Sequence, residues 1–135
     1  VPSTPTPTPA LGTNLALNKS GVASTGYADM AFDGNASGTR WESTHGVDPQ
    51  WIYVDLGAST TVSSVKLNWE TASAKAYKIQ VSNDANNWSD VYSTTAGAGG
   101  TETIAFTPTS ARYVRMYGTE RNTIYGYSLW EFEVY

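Results

Sequence analysis

The sequence predicts an all-β domain, and three observations carry that prediction. Apolar and polar residues alternate with a period of two, turn clusters separate the alternating segments, and no stretch sustains a helical period. Short strands with no helices between them read as a β-sandwich or a small barrel. At 135 residues, 40% of them hydrophobic, the chain is long enough for one such core and short for two.

Residues 1–13 hold four of the six prolines and no charge. Alternating Pro and Thr cannot form a helix or a central strand, so this segment is predicted to be an extended spacer. Such spacers tether one folded unit to another, which suggests a module of a longer protein whose folded part spans 14–135. Trp51–Leu56 is a strand candidate without the full alternation of the segments that follow. In the segment from Val62 to Glu70, Val65, Leu67 and Trp69 share one face, against Ser64, Lys66, Asn68 and Glu70. Tyr77, Ile79 and Val81 then oppose Lys78, Gln80 and Ser82. Thr103–Phe106 is a further candidate; Val114 and Met116 oppose Tyr113, Arg115 and Tyr117, and Trp130, Phe132 and Val134 oppose Glu131 and Glu133. Asp33-Gly34-Asn35, residues 83–87 and residues 97–100 are the turns. Trp41, Trp51, Trp69, Trp88 and Trp130 mostly fall on apolar phases and are expected in the core.

Composition excludes several chemistries. With no cysteine there is no disulfide framework and no thiolate metal site. The single histidine, His45, lies in a polar loop without a nucleophile-elbow pattern, which argues against a Ser-His-Asp site and against zinc. A net charge of −4 argues against nucleic acid and anionic membranes as partners. Apolar runs of only a few residues predict no membrane span, and a secreted form would carry its signal upstream of this sequence. Glu42, Glu70, Glu102 and Glu120 could hydrolyse a glycoside only if two stood roughly 5–10 Å apart across one groove. The spacing does not place them so, and the domain is expected to be non-catalytic.

Three groups of residues invite a functional reading. Asp33 to Thr39 offers oxygen side chains around a glycine turn, which suits calcium, although spacing alone favours a plain Asx-rich turn. It is not an EF-hand, because the twelfth position is Thr44 and no helices flank it. Tyr125 and Tyr127 follow Arg121-Asn122-Thr123-Ile124; they either stack on a sugar or plug the end of the sandwich. Glu70 closes its strand on the polar phase, as an acceptor for hydroxyl or amino groups or as a solvated strand end.

From Asn14 to Tyr135 the chain resembles the discoidin, or coagulation factor V/VIII C-type, domain, most closely the bacterial family 32 carbohydrate-binding modules. The matching segments are Asn14-Leu15-Ala16-Leu17-Asn18-Lys19, Ala31-Phe32-Asp33-Gly34-Asn35 through Thr39-Arg40-Trp41, and Trp51-Ile52-Tyr53-Val54-Asp55-Leu56-Gly57. They continue with Tyr77 to Ser82, Asn87-Trp88, Ala111 to Arg115 and Gly126 to Phe132. The resemblance implies a jelly-roll-like antiparallel sandwich of about eight strands, with its N- and C-terminal strands side by side. It also implies a structural calcium held by Asp33, Asn35, Thr39 and Glu131, with the backbone carbonyls of Met30 and Trp130. Absence of the disulfide of animal relatives favours the bacterial branch.

In such modules the sugar sits on loops at one end of the sandwich. Here Arg40 and Arg121 are expected to donate to it, Glu42 and Glu70 to accept, His45 to hydrogen-bond and Tyr125 to stack. A galactose-type site could instead draw on His45, Arg121, Asn122 and Tyr125. The acidic loops and the net charge of −4 suit a cationic glucosamine polymer such as chitosan. Neutral β-glucan, galactosides and an adhesion role are the alternatives. The expected setting is a secreted, extracellular bacterial polysaccharide hydrolase, with this module as a monomeric, calcium-bearing appendage that binds polysaccharide or oligosaccharide.

Overall fold

The computed structural model describes residues 12–135, so all but the end of the predicted spacer lies outside the described residues. Seven strands follow in order: β1 (Ser20–Ala23), β2 (Trp41–Glu42), β3 (Gln50–Trp69), β4 (Ala74–Ser82), β5 (Ser89–Thr94), β6 (Thr101–Arg121) and β7 (Ser128–Val134). A single 3-10 turn, Ala28–Ala31, stands between β1 and β2. Every pairing is antiparallel.

β3 and β6 are long because each runs through both layers of a sandwich. The first half of β3 pairs with β1 through Ile52 to Asp55, and its second half pairs with β7 through Val65 to Trp69. β6 follows it along both halves. One layer is therefore β2, β7, the end of β3 and the start of β6; the other is β1, the start of β3, the end of β6, β4 and β5. The β3–β6 register shifts between Asp55 and Thr60 and again between Val62 and Ser64, irregularities that let a strand bend from one layer to the next. The jelly-roll-like sandwich is thus built from seven continuous strands, two of which serve twice.

The core follows the alternation. Ile52, Val54, Val65, Leu67, Ile79, Val114, Met116, Leu129, Phe132 and Val134 are all fully buried, and Trp41 and Tyr77 lie among them. Burying each such aliphatic side chain contributes about 1.5–3 kcal/mol. Trp69 is also buried, and its indole N–H donates to Glu102 at 2.7 Å.

Three of the five tryptophans depart from the expected core position. Trp51, Trp88 and Trp130 are only half-buried. Trp51 and Tyr53 stack on the outer face of β3, with ring centroids 5.7 Å apart and planes 14° from parallel. Trp88 packs against Tyr53 at 5.3 Å, and the Arg115 guanidinium lies 4.0 Å over the Trp88 ring. Both faces of this strand carry large side chains, and only the aliphatic one turns inward. The expected contact between chain ends is also made differently. β1 pairs with β3, while the residues ahead of it reach β7: the Leu15 N–H donates to the Val134 carbonyl at 2.7 Å, and the Asn14 side chain accepts from the Val134 N–H at 3.0 Å.

Gly118 in β6 lies under the buried ring of Tyr127, where an added Cβ would sit 2.4 Å from Cε2. The ring cannot retreat freely, because its hydroxyl is bonded to Asp48. Gly118→Ala should therefore lower stability by about 1–3 kcal/mol in urea titration. Unchanged stability would mean that the Tyr127 ring gives way.

Candidate functional site

β2, the end of β3, the start of β4, the end of β6 and the start of β7 all meet at one end of the sandwich. Their loops are joined by backbone hydrogen bonds. The Glu70 N–H donates to Ser128 at 2.9 Å, the Ser128 N–H to Ala72 at 2.7 Å and the Asn122 N–H to Ser73 at 2.9 Å. The Ser43 and Gly46 N–H groups donate to the Tyr127 and Tyr125 carbonyls, each at 2.8 Å. This lattice frames a cleft of 350 Å³ lined by Arg40, Glu42, His45, Glu70, Thr71, Ala72 and Tyr125.

Five of the six sequence-derived sugar candidates thus line one cleft. Glu42 stands between two basic groups: its Oε2 is 2.9 Å from His45 Nε2, and its Oε1 is 3.5 Å from Arg40 Nη2. The hydrogen bond to His45, helped by the Arg40 charge, holds the Glu42 carboxyl below its usual range despite some burial. The Arg40 guanidinium rests 5.7 Å over the Trp130 ring, and the His45 ring meets the half-exposed Tyr125 ring edge-on at 5.5 Å. Glu70 accepts from the Ala72 N–H through Oε1 at 3.0 Å, which closes its own turn. Its Oε2 has no hydrogen-bond partner among the described residues. The cleft therefore presents two carboxylates, two basic groups and an aromatic face.

Arg121 is not among the lining residues. Its Nε donates to both Asp48 oxygens at 3.1 Å, and its Nη1 reaches the Tyr125 carbonyl at 3.4 Å. It braces the tyrosine loop from behind. Asn122 is likewise occupied, its side-chain amide donating to Ser73 Oγ and the Gly97 carbonyl. Of the two tyrosines, Tyr127 is the plug: fully buried, its hydroxyl pushed far up in pKa by burial and by Asp48. Thr71 and Ala72 lie in the turn after Glu70 that the sequence assigns to the sugar-binding loops, but as individual residues they give no chemical signal, because they enter through backbone placement. Two clefts of 510 and 390 Å³ lie elsewhere, but the larger has Lys78 as its one charged residue. The other holds Asp84, whose carboxylate is spent on the Asn86 and Asn87 N–H groups and Ser82.

The Asp33 loop forms the Asx-type turn that its residues allow. Asp33 accepts from the Asn35 N–H at 3.0 Å and from Thr39 Oγ1, and Asn35 accepts from the Gly38 N–H at 2.8 Å. Glu131 is buried beside it, with Oε2 accepting from the Gly34 N–H at 2.8 Å. Its other oxygen, Oε1, is buried without a partner. Burial, with Asp33 adding to it against the Gly34 N–H, pushes the Glu131 pKa up to about 7. Met30 lies in the 3-10 turn leading into this loop, and Trp130 is the β7 residue that the β3–β7 register skips. Among the described residues no three His, Cys, Asp or Glu side chains gather. Two carboxylates with neutral oxygens suit calcium, which takes oxygen ligands of mixed kinds, and an orphaned buried carboxylate oxygen is what a cation would satisfy.

A family profile described as a NedA-like, galactose-binding domain of F5/F8 type C matches residues 30–116. A chitosan-binding module 1 from a chitosanase/glucanase of Paenibacillus sp. IK-5 is similar at 59% identity and TM-score 0.89, over 92% of this chain and 99% of that one. The chitosan-binding module 2 of that enzyme, solved with chitotriose, is 55% identical at TM-score 0.88, over 90% of this chain and 99% of that one. A polysaccharide lyase 8 family protein, HylA of Enterococcus faecalis, is 30% identical over 79% of this chain, which spans only 8% of that protein.

The Arg121–Asp48 pair is about three-quarters buried on each side, so its loss should register in stability. Arg121→Ala is expected to cost about 1 kcal/mol in denaturant titration. A variant as stable as the wild type would remove the bracing role.

Proposed function

This chain belongs to the F5/F8 type C family of galactose-binding-like domains, and from that premise we propose that it is a non-catalytic carbohydrate-binding module for chitosan. The observation that carries this reading is the convergence of Glu42, Glu70, Arg40, His45 and Tyr125 on one cleft. Carboxylates in a cleft form charge-assisted hydrogen bonds with the ammonium groups of glucosamine, while Tyr125 offers its face to the ring. The similarity to two modules named for chitosan binding supports the same sugar. Affinity is expected between about 10 μM and 1 mM, as befits an open site with few contacts.

The module's role is to hold a secreted, extracellular polysaccharide-degrading enzyme on its substrate, where tethering raises local concentration. The enzymes named among its relatives support that setting. Arg121 enters this reading as a brace for Tyr125, not as a sugar ligand. We further assign a structural calcium to the Asp33 loop, with Asp33, Asn35, Thr39 and Glu131 as side-chain ligands and Met30 and Trp130 as backbone ones. The ion would offset the buried Glu131 charge and fix the loop to β7.

Two outcomes follow. Glu70→Gln keeps the oxygen that closes the turn at Ala72 and removes the charge, so calorimetry should show at least a roughly ten-fold loss of affinity for glucosamine oligomers. Its melting temperature should not move. Binding that is unaltered, or that prefers laminarin or galactosides in the wild type, would replace the cationic reading with a neutral one. For calcium, chelator should lower the melting temperature of the wild type and leave Asp33→Ala unchanged; identical wild-type curves with and without chelator count against the ion.

A further inference from the structure

A second cleft of 440 Å³ adjoins the first and shares two of its walls, Arg40 and Glu42. Its other walls are Gly26, Tyr27, Met30, Gly38 and Thr39. Each cleft falls within the range of about 300–1,000 Å³ usual for small-ligand sites. The Arg40–Glu42 pair forms the ridge between them, so a chain molecule in the first cleft can continue over that ridge into the second.

Tyr27 dominates the second cleft because the residue is 82% exposed while its backbone is pinned. The Trp41 indole N–H donates to the Thr25 carbonyl at 2.7 Å, and Thr25 Oγ1 accepts from the Thr44 N–H at 2.8 Å. Gly26 takes φ +81° with its missing Cβ pressed to 2.2 Å from the Glu42 carbonyl, a contact that only glycine allows. The Tyr27 carbonyl accepts from the Met30 N–H at 3.2 Å. The turn that carries Tyr27 is therefore bonded to the strand that carries Glu42. An exposed ring on a fixed backbone gives up little entropy when it stacks.

We propose that this second cleft is an additional sugar subsite, in which a further unit of a glucosamine chain crosses the Arg40–Glu42 ridge and stacks on Tyr27. The inference rests on the chitosan reading above and adds that the site recognises chain length. Glu42, facing both clefts, can accept from an amino group on either side of the ridge.

The test is calorimetric titration of wild type, Tyr27→Ala and Tyr27→Phe with glucosamine oligomers of two and six units. The wild type should bind the six-unit oligomer more tightly than the two-unit one. Tyr27→Ala should weaken six-unit binding by roughly three- to ten-fold, the scale of one ring contact, and leave two-unit binding unchanged. Tyr27→Phe should retain wild-type behaviour, and all three should melt alike. Equal six-unit affinity in wild type and Tyr27→Ala overturns the subsite, as does an equal loss for both lengths, which would put Tyr27 in the first cleft. If the wild type binds neither oligomer, the glucosamine reading itself fails and the subsite with it.

Discussion

Backbone hydrogen bonds between loops, more than any side-chain contact, hold the cleft in shape. The segments before β4, after β6 and ahead of β7 exchange N–H and carbonyl groups through Ser128, Ala72, Ser73 and Asn122, and the loop after β2 joins them through Tyr127 and Tyr125. Backbone polar groups must find partners once buried, so these bonds are obligatory for the loops to close over the sandwich end. Cleft side chains then project from a backbone-bonded frame, to which Glu70 adds one bond of its own at the Ala72 N–H. That arrangement lowers the ordering cost of binding, since Glu70 and Tyr125 stand on fixed backbone before any ligand arrives.

A second set of polar residues serves the frame alone. Glu102 accepts from the Trp69 indole at 2.7 Å and the Tyr77 hydroxyl at 2.9 Å, tying the two layers near their edge. Burial, then Glu102, pushes the Tyr77 hydroxyl far up in pKa, so it stays a donor throughout the accessible pH range. Asp48 does the same for Tyr127 and Arg121 at the cleft end. Glu120 faces Lys75 across 3.8 Å on the surface. Of the four carboxylates that the sequence offered for glycan chemistry, two are therefore structural or solvated, and Glu42 and Glu70 remain in the cleft.

The sequence revealed strands readily because alternation is a local property, and the inward phases of Val65, Leu67, Ile79, Val114 and Met116 follow from it directly. Alternation does not reach Trp88, which lies just ahead of β5, and it revealed less about Trp51 on β3. Period two separates the faces of a strand, but when both faces are large it does not say which one meets the other layer. Trp130 escaped for a different reason: the irregularity opposite Asn68 and Trp69 shifts the phase of β7, so that Glu131 turns inward and Trp130 half outward. Arg121 has the composition of a ligand residue, yet its partner Asp48 is remote in the chain. Tyr27 gave no local signal either, since its cleft forms only when the turn after β1 docks on β2.

Charge at the site is best judged group by group, because in physiological salt a charge is screened beyond about 8 Å. The net −4 of the whole chain therefore says little about the cleft. Most cations are met locally elsewhere: Arg112 by Asp55 at 2.8 Å, Lys78 by Asp90 at 3.2 Å and Arg121 by Asp48 at 3.1 Å. Arg115 lies among aromatic rings with Gln80 as its hydrogen-bond partner, and burial draws its pKa down. Within the cleft, Arg40 and His45 both lean on Glu42. Among the described residues no cation pairs with Glu70. Within the cleft, Glu70 is thus the carboxylate that no protein cation answers, and the proposed binding of a cationic sugar rests on that local imbalance, not on the acidity of the protein as a whole.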